Sequence, residues 1–250
     1  MTTLTQPLAN KVALVTGGSR SIGAAIVKRL AADGAAVAFT YSASADKAEA
    51  LAHEIAASGG RALAIRADAG DAAAVQAAVA QTVAALSRID ILVNNAGAAA
   101  QGMTGEIPLA DFDRLVAVNV KGAFVAAQEA ARRMQAGGRI INVGSVHSEY
   151  VPYAGIAVYA LTKGALAGMT QAMARDLGPR GITVNNILPG PTDTDMNPAS
   201  GPFADAVRGL TALQRYAAPA EIAGFVAYLA GPDSSFITGA NLRVDGGFAA

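Results

Sequence analysis

The sequence predicts a single α/β domain, a doubly wound sheet of about seven parallel strands with helices on both faces. Short β-branched runs alternate with longer alanine-rich stretches along the 250 residues, which is typical of parallel strands joined by crossover helices. No Pro/Ser-rich linker or shift in composition divides the chain. Residues 1–250 are therefore expected to form one unit.

Seven segments are predicted as strands because they are short, apolar and rich in β-branched residues. Runs such as Ile91-Leu92-Val93 fit strands that are covered on both faces. The predicted strands are Val12–Thr16, Ala36–Tyr41, Ala62–Arg66, Ile91–Asn94, Arg139–Val143, Ile182–Leu188 and Asn241–Val244.

Helices are predicted between these strands, the first of them closed by Gly34. The connection after the sixth strand lacks strong periodicity, and Gly, Pro, Asp and Asn crowd its first part. We expect a mobile substrate lid there, at about residues 189–210. The predicted helices are Ile22–Asp33, Asp46–Ala57, Ala72–Leu86, Leu109–Met134, Tyr159–Leu177 and Ala220–Ala230.

Composition excludes several classes of function. The chain has no cysteine and two histidines, which excludes disulfides, thiolate chemistry and Cys-ligated metals, so we expect no metal site. Nineteen basic residues balance nineteen acidic ones, which argues against nucleic acid or membrane surfaces as partners. With no leader-like segment or long apolar run, a cytoplasmic location is expected.

The segment Thr16-Gly17-Gly18-Ser19-Arg20-Ser21-Ile22-Gly23 joins the first predicted strand to the first predicted helix. Glycine lets a phosphate approach the backbone, and a helix N-terminus offers free N–H groups to it. Glycine-rich turns also occur for purely structural reasons. The order strand, loop, helix nevertheless predicts a site for the pyrophosphate of a dinucleotide.

The end of the second predicted strand indicates which dinucleotide binds. Thr40-Tyr41-Ser42 contains no acid to hold the ribose hydroxyls of NAD(H), whereas Arg20 offers a cation and Ser19 and Ser42 offer hydroxyls. We therefore expect NADP(H) to be preferred over NAD(H). The alternative is that Arg20 is a solvated surface charge.

Tyr159 and Lys163 stand four residues apart, which places a phenol and an ammonium on one face of a predicted helix. Ser145 lies fourteen residues before Tyr159, directly beyond the fifth predicted strand, and Asn119 lies in the preceding long helix. Such spacing is weak by itself, but ligands bind at the carboxyl ends of parallel strands. These four residues are the candidate catalytic groups.

These motifs resemble the classical short-chain dehydrogenase/reductase family over essentially the whole chain. The loop is similar to that family's TGxxxGxG motif, with Ser21 at the middle glycine, and Asn119, Ser145, Tyr159 and Lys163 match its Asn-Ser-Tyr-Lys tetrad. Asn94-Asn95-Ala96-Gly97 and Pro189-Gly190 match further segments. The resemblance implies a Rossmann-like fold, and broadly a 3-oxoacyl-[acyl-carrier-protein] reductase-like member.

The resemblance also implies roles in ketone reduction by hydride transfer. Tyr159 would be the general acid or base, tuned by Lys163, which would also hold the nicotinamide ribose. Ser145 would bind the substrate oxygen, and Asn119 would maintain a water relay.

The same resemblance implies the contacts to the cofactor. Asp68 would meet the adenine, and Thr192 and Thr194 the nicotinamide side, although both threonines also suit turn chemistry. Ser21 is expected to alter affinity without abolishing binding. The expected cofactor residues are Gly17, Ser19, Arg20, Ser21, Ile22, Gly23, Tyr41, Ser42, Asp68, Asn95, Ala96, Gly97, Tyr159, Lys163, Pro189, Gly190, Thr192 and Thr194.

Several alternatives stay open. The substrate could be a 3-oxoacyl thioester, a small or cyclic ketone, a sugar or a steroid. A nucleotide-binding regulatory protein with little or no catalysis is the competing class, because fold does not establish activity. A serine hydrolase is disfavoured, since Ser145 lacks a GxSxG elbow.

Three further expectations concern the surroundings of the site. His147 is expected to line the substrate pocket with Glu149 and Tyr150, the alternative being a satisfied surface residue. Asp193 and Asp195 are expected to be merely solvated loop acids. The family resemblance implies a homotetramer, or a dimer, formed through the two long helices and the C-terminal strand. Alanine-rich faces such as Ala126, Ala127 and Ala130 would permit close packing there.

Overall fold

The computed structural model describes residues 6–250 and contains one sheet with the strand order β3-β2-β1-β4-β5-β6-β7. All six pairings are parallel, as predicted. Strand order reverses between β1 and β4, and a ligand crevice forms at such a switch point. The strands are β1 Val12–Val15, β2 Ala36–Tyr41, β3 Arg61–Arg66, β4 Ile91–Asn94, β5 Arg139–Val143, β6 Thr183–Pro189 and β7 Asn241–Val244.

Helices cover both faces of this sheet, and the predicted Rossmann-like α/β class is confirmed. Each α-helix except α7, within the lid segment, falls within a few residues of a predicted one. The helices are α1 Ser21–Ala32, α2 Ala45–Ala57, α3 Ala72–Leu86, α4 Leu109–Leu115, α5 Ala123–Arg133, α6 Ala157–Leu177, α7 Ala204–Gly209 and α8 Pro219–Ala230.

The predicted helix over Leu109–Met134 is helical without a break from Leu109 to Arg133, but it is not α-helical throughout. A π-helical segment, Val116–Gly122, separates α4 from α5, and the backbone is already extended at Met134. Gly122 lies so close to the carbonyl oxygen of Ala69 that a side chain would overlap it. Hydrophobic periodicity does not detect such a local widening, which is often found at functional sites.

Two apolar layers hold the sheet between the helices. On one face Val27 of α1 and Val226 of α8 are fully buried, and on the other Val79 of α3 packs with Ala126 and Ala130 of α5. Burying a valine, leucine or isoleucine side chain contributes about 1.5–3 kcal/mol. The expectation that these alanines face a partner chain is wrong, because they pack against the chain's own sheet.

The segment after β6 is partly ordered by its own contacts. Thr192 is buried and forms a bridge with Ala217, and α7 follows. That the segment acts as a mobile lid stays a prediction.

Within residues 6–250, no helix is long and apolar enough to cross a bilayer, and no cluster of three or more candidate metal ligands occurs.

Candidate functional site

A cleft of about 640 Å³ lies at the carboxyl ends of the strands, within the range of small-molecule sites. Its walls are the β1–α1 loop, the segments after β2 to β6, and the start of α6. Ser145 and every expected cofactor residue line it, whereas Asn119 stands behind the wall. These expected residues are Gly17, Ser19, Arg20, Ser21, Ile22, Gly23, Tyr41, Ser42, Asp68, Asn95, Ala96, Gly97, Tyr159, Lys163, Pro189, Gly190, Thr192 and Thr194.

The β1–α1 loop is shaped by its glycines and by the end of β2. Gly17 has a φ of +65°, a left-handed conformation that favours glycine, and a side chain on Gly18 would stand 2.5 Å from Cβ of Phe39. The N–H of Gly17 donates to Thr40 Oγ1 at 3.0 Å, and that of Gly18 donates to the Thr40 carbonyl at 2.9 Å. The loop is thus fixed close to β2.

The segment after β4 fixes the loop from the other side. Asn95 Nδ2 donates to the carbonyl oxygens of Thr16 and Gly17, both at 3.0 Å, and the N–H groups of Asn95 and Ala96 donate to Thr16 Oγ1. The Asn95 side chain therefore braces the β1–α1 loop, which is called the phosphate loop below because a pyrophosphate site is predicted there. Asn94 braces the sheet instead, since it donates to the carbonyl of Ala123 and to Asn142 Oδ1.

Ser21 begins α1 with a φ of +49°, a region that costs an L-residue roughly 1–2 kcal/mol and explains why the family motif has glycine there. Its Oγ accepts the N–H of Asp195 at 3.2 Å, and Arg20 Nη1 pairs with Asp195 Oδ2 at 2.9 Å. The expectation that Asp195 is merely solvated is wrong, because the fold brings the segment after β6 against the phosphate loop.

Lys163 is buried in α6, with its Nζ 2.9 Å from the Val143 carbonyl and 5.6 Å from the centroid of the Tyr159 ring. Burial lowers the pKa of Lys163 to about 8. The ammonium is therefore still the main form at neutral pH. It lies where it would stabilise a negative charge on the Tyr159 oxygen.

Burial raises the pKa of the partly buried Tyr159, and a side-chain hydrogen bond with Ser145 opposes part of that rise. The phenol therefore keeps its proton at neutral pH. A protonated phenol beside a buried ammonium can donate a proton to an oxygen that is gaining negative charge.

Asn119 lies in the π-helical segment and does not line the cleft. Its side chain hydrogen-bonds both Ala98, in the segment after β4, and Thr162, the neighbour of Lys163. Asn119 therefore connects the segment after β4, which lines the cleft, to α6, which carries Tyr159 and Lys163.

Ser145 and His147 line the cleft in the segment after β5, where the substrate pocket is expected. Ser145 Oγ accepts the His147 N–H at 3.2 Å, and the His147 ring stands edge-on to the Tyr159 ring, with centroids 6.3 Å apart. The prediction that Glu149 and Tyr150 line the pocket with His147 is wrong, because neither lines the cleft. Tyr150 contributes its carbonyl oxygen, 3.0 Å from His147 Nδ1, and Glu149 pairs with Arg243.

Tyr153 is a residue of this segment that sequence reasoning missed. Its hydroxyl lies 2.8 Å from His147 Nε2, and its ring stands edge-on to the imidazole. Sequence reasoning singled out His147 in this segment. It gave no reason to choose Tyr153, because only the folded loop brings it to His147.

A glycine-rich strand–loop–helix junction at a topological switch point, facing a phenol and a buried ammonium, defines a dinucleotide-binding protein with a proton-transfer site. Comparison with known proteins agrees. A family model described as Enoyl-(Acyl carrier protein) reductase matches residues 17–249. The chain belongs to the classical short-chain dehydrogenase/reductase family of oxidoreductases, which confirms the resemblance.

Two curated relatives span nearly the whole chain. The Cyclic-di-GMP-binding biofilm dispersal mediator protein of Escherichia coli is 48% identical over 240 residues, which cover 96% of this chain and 98% of that protein. The 3-oxoacyl-[acyl-carrier-protein] reductase of Synechocystis sp. is 38% identical over 243 residues, 96% and 97% of the two chains.

Two solved structures also match nearly the whole chain. The short-chain dehydrogenase/reductase from Serratia marcescens is 62% identical, with a TM-score of 0.96 over 98% of this chain and 100% of that one. A short chain dehydrogenase from Burkholderia cenocepacia, in complex with NADP, is 52% identical with the same TM-score and coverage.

Proposed function

We propose that this protein is an NADP(H)-dependent oxidoreductase acting on CH–OH groups, which interconverts a ketone and a secondary alcohol. The observation that carries the proposal is the Tyr159–Lys163 pair, with a buried ammonium 5.6 Å from the phenol ring at the wall of the cleft. The pair gives the cleft a proton donor and a charge that stabilises the donor's conjugate base.

The residues of the cleft fit NADP(H). Gly17 and Gly18 keep side chains away from the loop backbone, and α1 begins at Ser21 with its N-terminus toward the cleft, which suits a pyrophosphate. Arg20, Ser19 and Ser42 offer a cation and hydroxyls for a 2′-phosphate. The NADP in the Burkholderia relative supports this choice.

Further expected contacts complete the cofactor's path. Asp68, whose Oδ1 accepts the Gly70 N–H at 2.9 Å, would hold the adenine end. Thr192 and Thr194 would hold the nicotinamide end, although both already make turn hydrogen bonds, with the Gly190 carbonyl and the Asn197 N–H respectively. Tyr159 and Lys163 would bind the nicotinamide ribose.

The bound cofactor would supply a hydride to the carbonyl carbon. Ser145 would donate a hydrogen bond to the carbonyl oxygen and stabilise the charge that develops there. Tyr159 would give that oxygen its phenolic proton, and Lys163 would stabilise the resulting phenolate. Asn119 would hold the walls in register and maintain a water relay toward Lys163.

The substrate we propose is a 3-oxoacyl thioester or a small ketone. The Synechocystis relative, named as a 3-oxoacyl-[acyl-carrier-protein] reductase, supports the first choice. The His147–Tyr153 pair near Tyr159 supports a substrate with some polarity beside its reacting carbonyl, because it adds hydrogen-bonding groups to the wall.

The second candidate is a nucleotide-binding regulatory protein with little catalysis, favoured by the Escherichia coli relative, a Cyclic-di-GMP-binding biofilm dispersal mediator protein. The discriminating experiment measures NADPH oxidation with a panel of ketones and 3-oxoacyl thioesters, in the unaltered protein and in Tyr159→Phe. Loss of the proton donor should lower kcat by roughly 10²–10⁴-fold. Tyr228→Phe, on the exposed side of α8, is the control.

The result of this experiment distinguishes the oxidoreductase from the regulatory protein. Turnover that depends on Tyr159 supports the oxidoreductase. Tight NADPH binding without oxidation that depends on Tyr159 favours the regulatory protein.

We also propose a homotetramer, or a dimer. Phe124 of α5 and Leu161 of α6 are exposed apolar side chains on the helices expected to form its interfaces, and Phe236, in the turn before β7, is exposed as well. Sedimentation at micromolar concentration tests this, and a monomer would contradict it.

A further inference from the structure

We propose that Asp195 limits the cofactor selectivity of this protein by competing with the 2′-phosphate of NADP(H) for the guanidinium of Arg20. The inference rests on the proposed function, in which Arg20 receives that phosphate. It assigns a role to an acidic residue that sequence reasoning treated as solvated.

The first support is the ion pair itself. Arg20 Nη1 lies 2.9 Å from Asp195 Oδ2, and within residues 6–250 no other carboxylate lies within salt-bridge distance of Arg20. Both side chains line the cleft, as Ser42 and Ser44 of the β2 end also do. The Asp195 carboxylate thus already pairs with the Arg20 guanidinium, which is expected to bind the 2′-phosphate.

The second support is the position of Ser21. Its hydroxyl accepts the backbone N–H of Asp195 at 3.2 Å, which holds Asp195 beside Arg20 across 174 residues of sequence. A glycine, the residue of the family motif, has no hydroxyl for this contact. The unusual serine, with its φ of +49°, therefore brings an acid to the phosphate loop.

The local structure around Asp195 restrains it further. Thr194 and Asn197 exchange backbone hydrogen bonds of 3.3 and 3.1 Å, and so form a turn around Asp195. Asp193, two residues earlier, accepts the Ala199 N–H instead and makes no contact with Arg20. The two acids of the segment therefore have different roles, and Asp193 provides a matched control.

Electrostatics determines the direction of the effect. A phosphate monoester carries close to two negative charges at neutral pH, and it would repel a carboxylate bound to the same guanidinium. Binding of NADPH to Arg20 would therefore be opposed by the Asp195 carboxylate, whereas NADH carries no 2′-phosphate and would leave the pair intact. The side chains of Arg20 and Asp195 are 51% and 55% exposed, so the pair can exchange.

Binding measurements in the absence of substrate test the inference. Kd values of NADPH and NADH are measured by fluorescence titration for the unaltered protein, Asp195→Asn and Asp193→Asn. Because an exposed ion pair contributes at most about 1 kcal/mol, Asp195→Asn should tighten NADPH binding by about two- to fivefold. NADH binding should be unchanged, and Asp193→Asn should alter neither.

The mechanism is tested with Arg20→Gln. In that background Asp195→Asn should no longer affect NADPH binding, because the shared cation is gone. Weaker NADPH binding in Asp195→Asn, or equal tightening of both cofactors, would overturn the inference and leave the proposed function standing. An unaltered protein that binds no NADPH would overturn the proposed function itself, and the inference with it.

Discussion

Asn119 and Ala98 are joined by two reciprocal hydrogen bonds, in which the Ala98 N–H donates to Oδ1 at 2.7 Å and Nδ2 donates to the Ala98 carbonyl at 2.9 Å. Nδ2 also donates to Thr162 Oγ1 at 3.0 Å. Both polar atoms of this buried side chain are thus used to connect main-chain segments.

Replacing the Asn119 amide with a carboxylate should break this connection. Asn119→Asp keeps the acceptor and loses the donor, which places a buried anion against the Ala98 carbonyl. We expect the free energy of unfolding to fall by about 2–3 kcal/mol, and kcat to fall as well. Urea denaturation measures the loss of stability. Asn10→Asp, at an exposed position, is the control, and equal unfolding midpoints for the two variants would contradict the prediction.

The pH dependence of ketone reduction should report Lys163. Burial lowers the pKa of Lys163 to about 8, so its positive charge is lost at a lower pH than that of an exposed lysine. In the proposed reaction, the ammonium present below pH 8 would stabilise the phenolate that forms when Tyr159 gives up its proton. Above pH 8 we expect kcat/KM to fall by up to about tenfold per pH unit. A pH–rate profile checks this, and constant kcat/KM up to pH 10 would refute it.

The hydroxyl of Tyr153 should affect the substrate and leave the cofactor unaffected. His147 Nδ1 faces the Tyr150 carbonyl, which requires a proton on Nδ1, so Nε2 accepts a hydrogen bond from Tyr153. Tyr153→Phe removes that bond, which is worth about 0.5–1.5 kcal/mol. We therefore expect KM for the ketone to rise by about two- to tenfold, with an unchanged Kd for NADPH.

Steady-state kinetics and cofactor titration of Tyr153→Phe test this separation. Tyr228→Phe, on the exposed side of α8, should change neither constant. A weaker Kd for NADPH in Tyr153→Phe would show that the loop acts through the cofactor site.

The π-helical segment should not tolerate a side chain at Gly122. A Cβ there would overlap the Ala69 carbonyl, which is main chain and cannot move aside easily. We expect Gly122→Ala to lower the free energy of unfolding by about 1–3 kcal/mol. Gly224→Ala in α8 meets only the flexible Arg29 side chain, at 3.4 Å, and should be neutral or stabilising. Thermal unfolding compares the two variants, and equal melting temperatures would contradict the prediction.

Much of the fold is predictable from sequence because its elements depend on local patterns. β4 is buried along its whole length, and the continuous apolar run Ile91-Leu92-Val93 marks it clearly. Tyr159 and Lys163 are predictable as neighbours because four residues make about one helical turn. The Asn95–Thr16 contact also follows in outline, since β1 and β4 end side by side.

Contacts between distant segments are not predictable in this way. The Ser21–Asp195 hydrogen bond depends on where a long irregular segment returns to the sheet, and no periodicity encodes that return. The π-helical segment depends on the close approach of Gly122 to Ala69, which is a property of packing. Tyr153 reaches His147 only through a loop without regular structure.

The bracing of the phosphate loop by Thr16, Thr40 and Asn95 implies an order of events during turnover. These hydrogen bonds hold the wall in one conformation, so the dinucleotide would meet a preorganised site and lose little binding energy to ordering. The nicotinamide would then form one face of the substrate pocket. We therefore expect a compulsory-order kinetic mechanism in which NADPH binds first and NADP⁺ leaves last. In product-inhibition experiments NADP⁺ should be competitive with NADPH, and no other pair of product and substrate should show competitive inhibition.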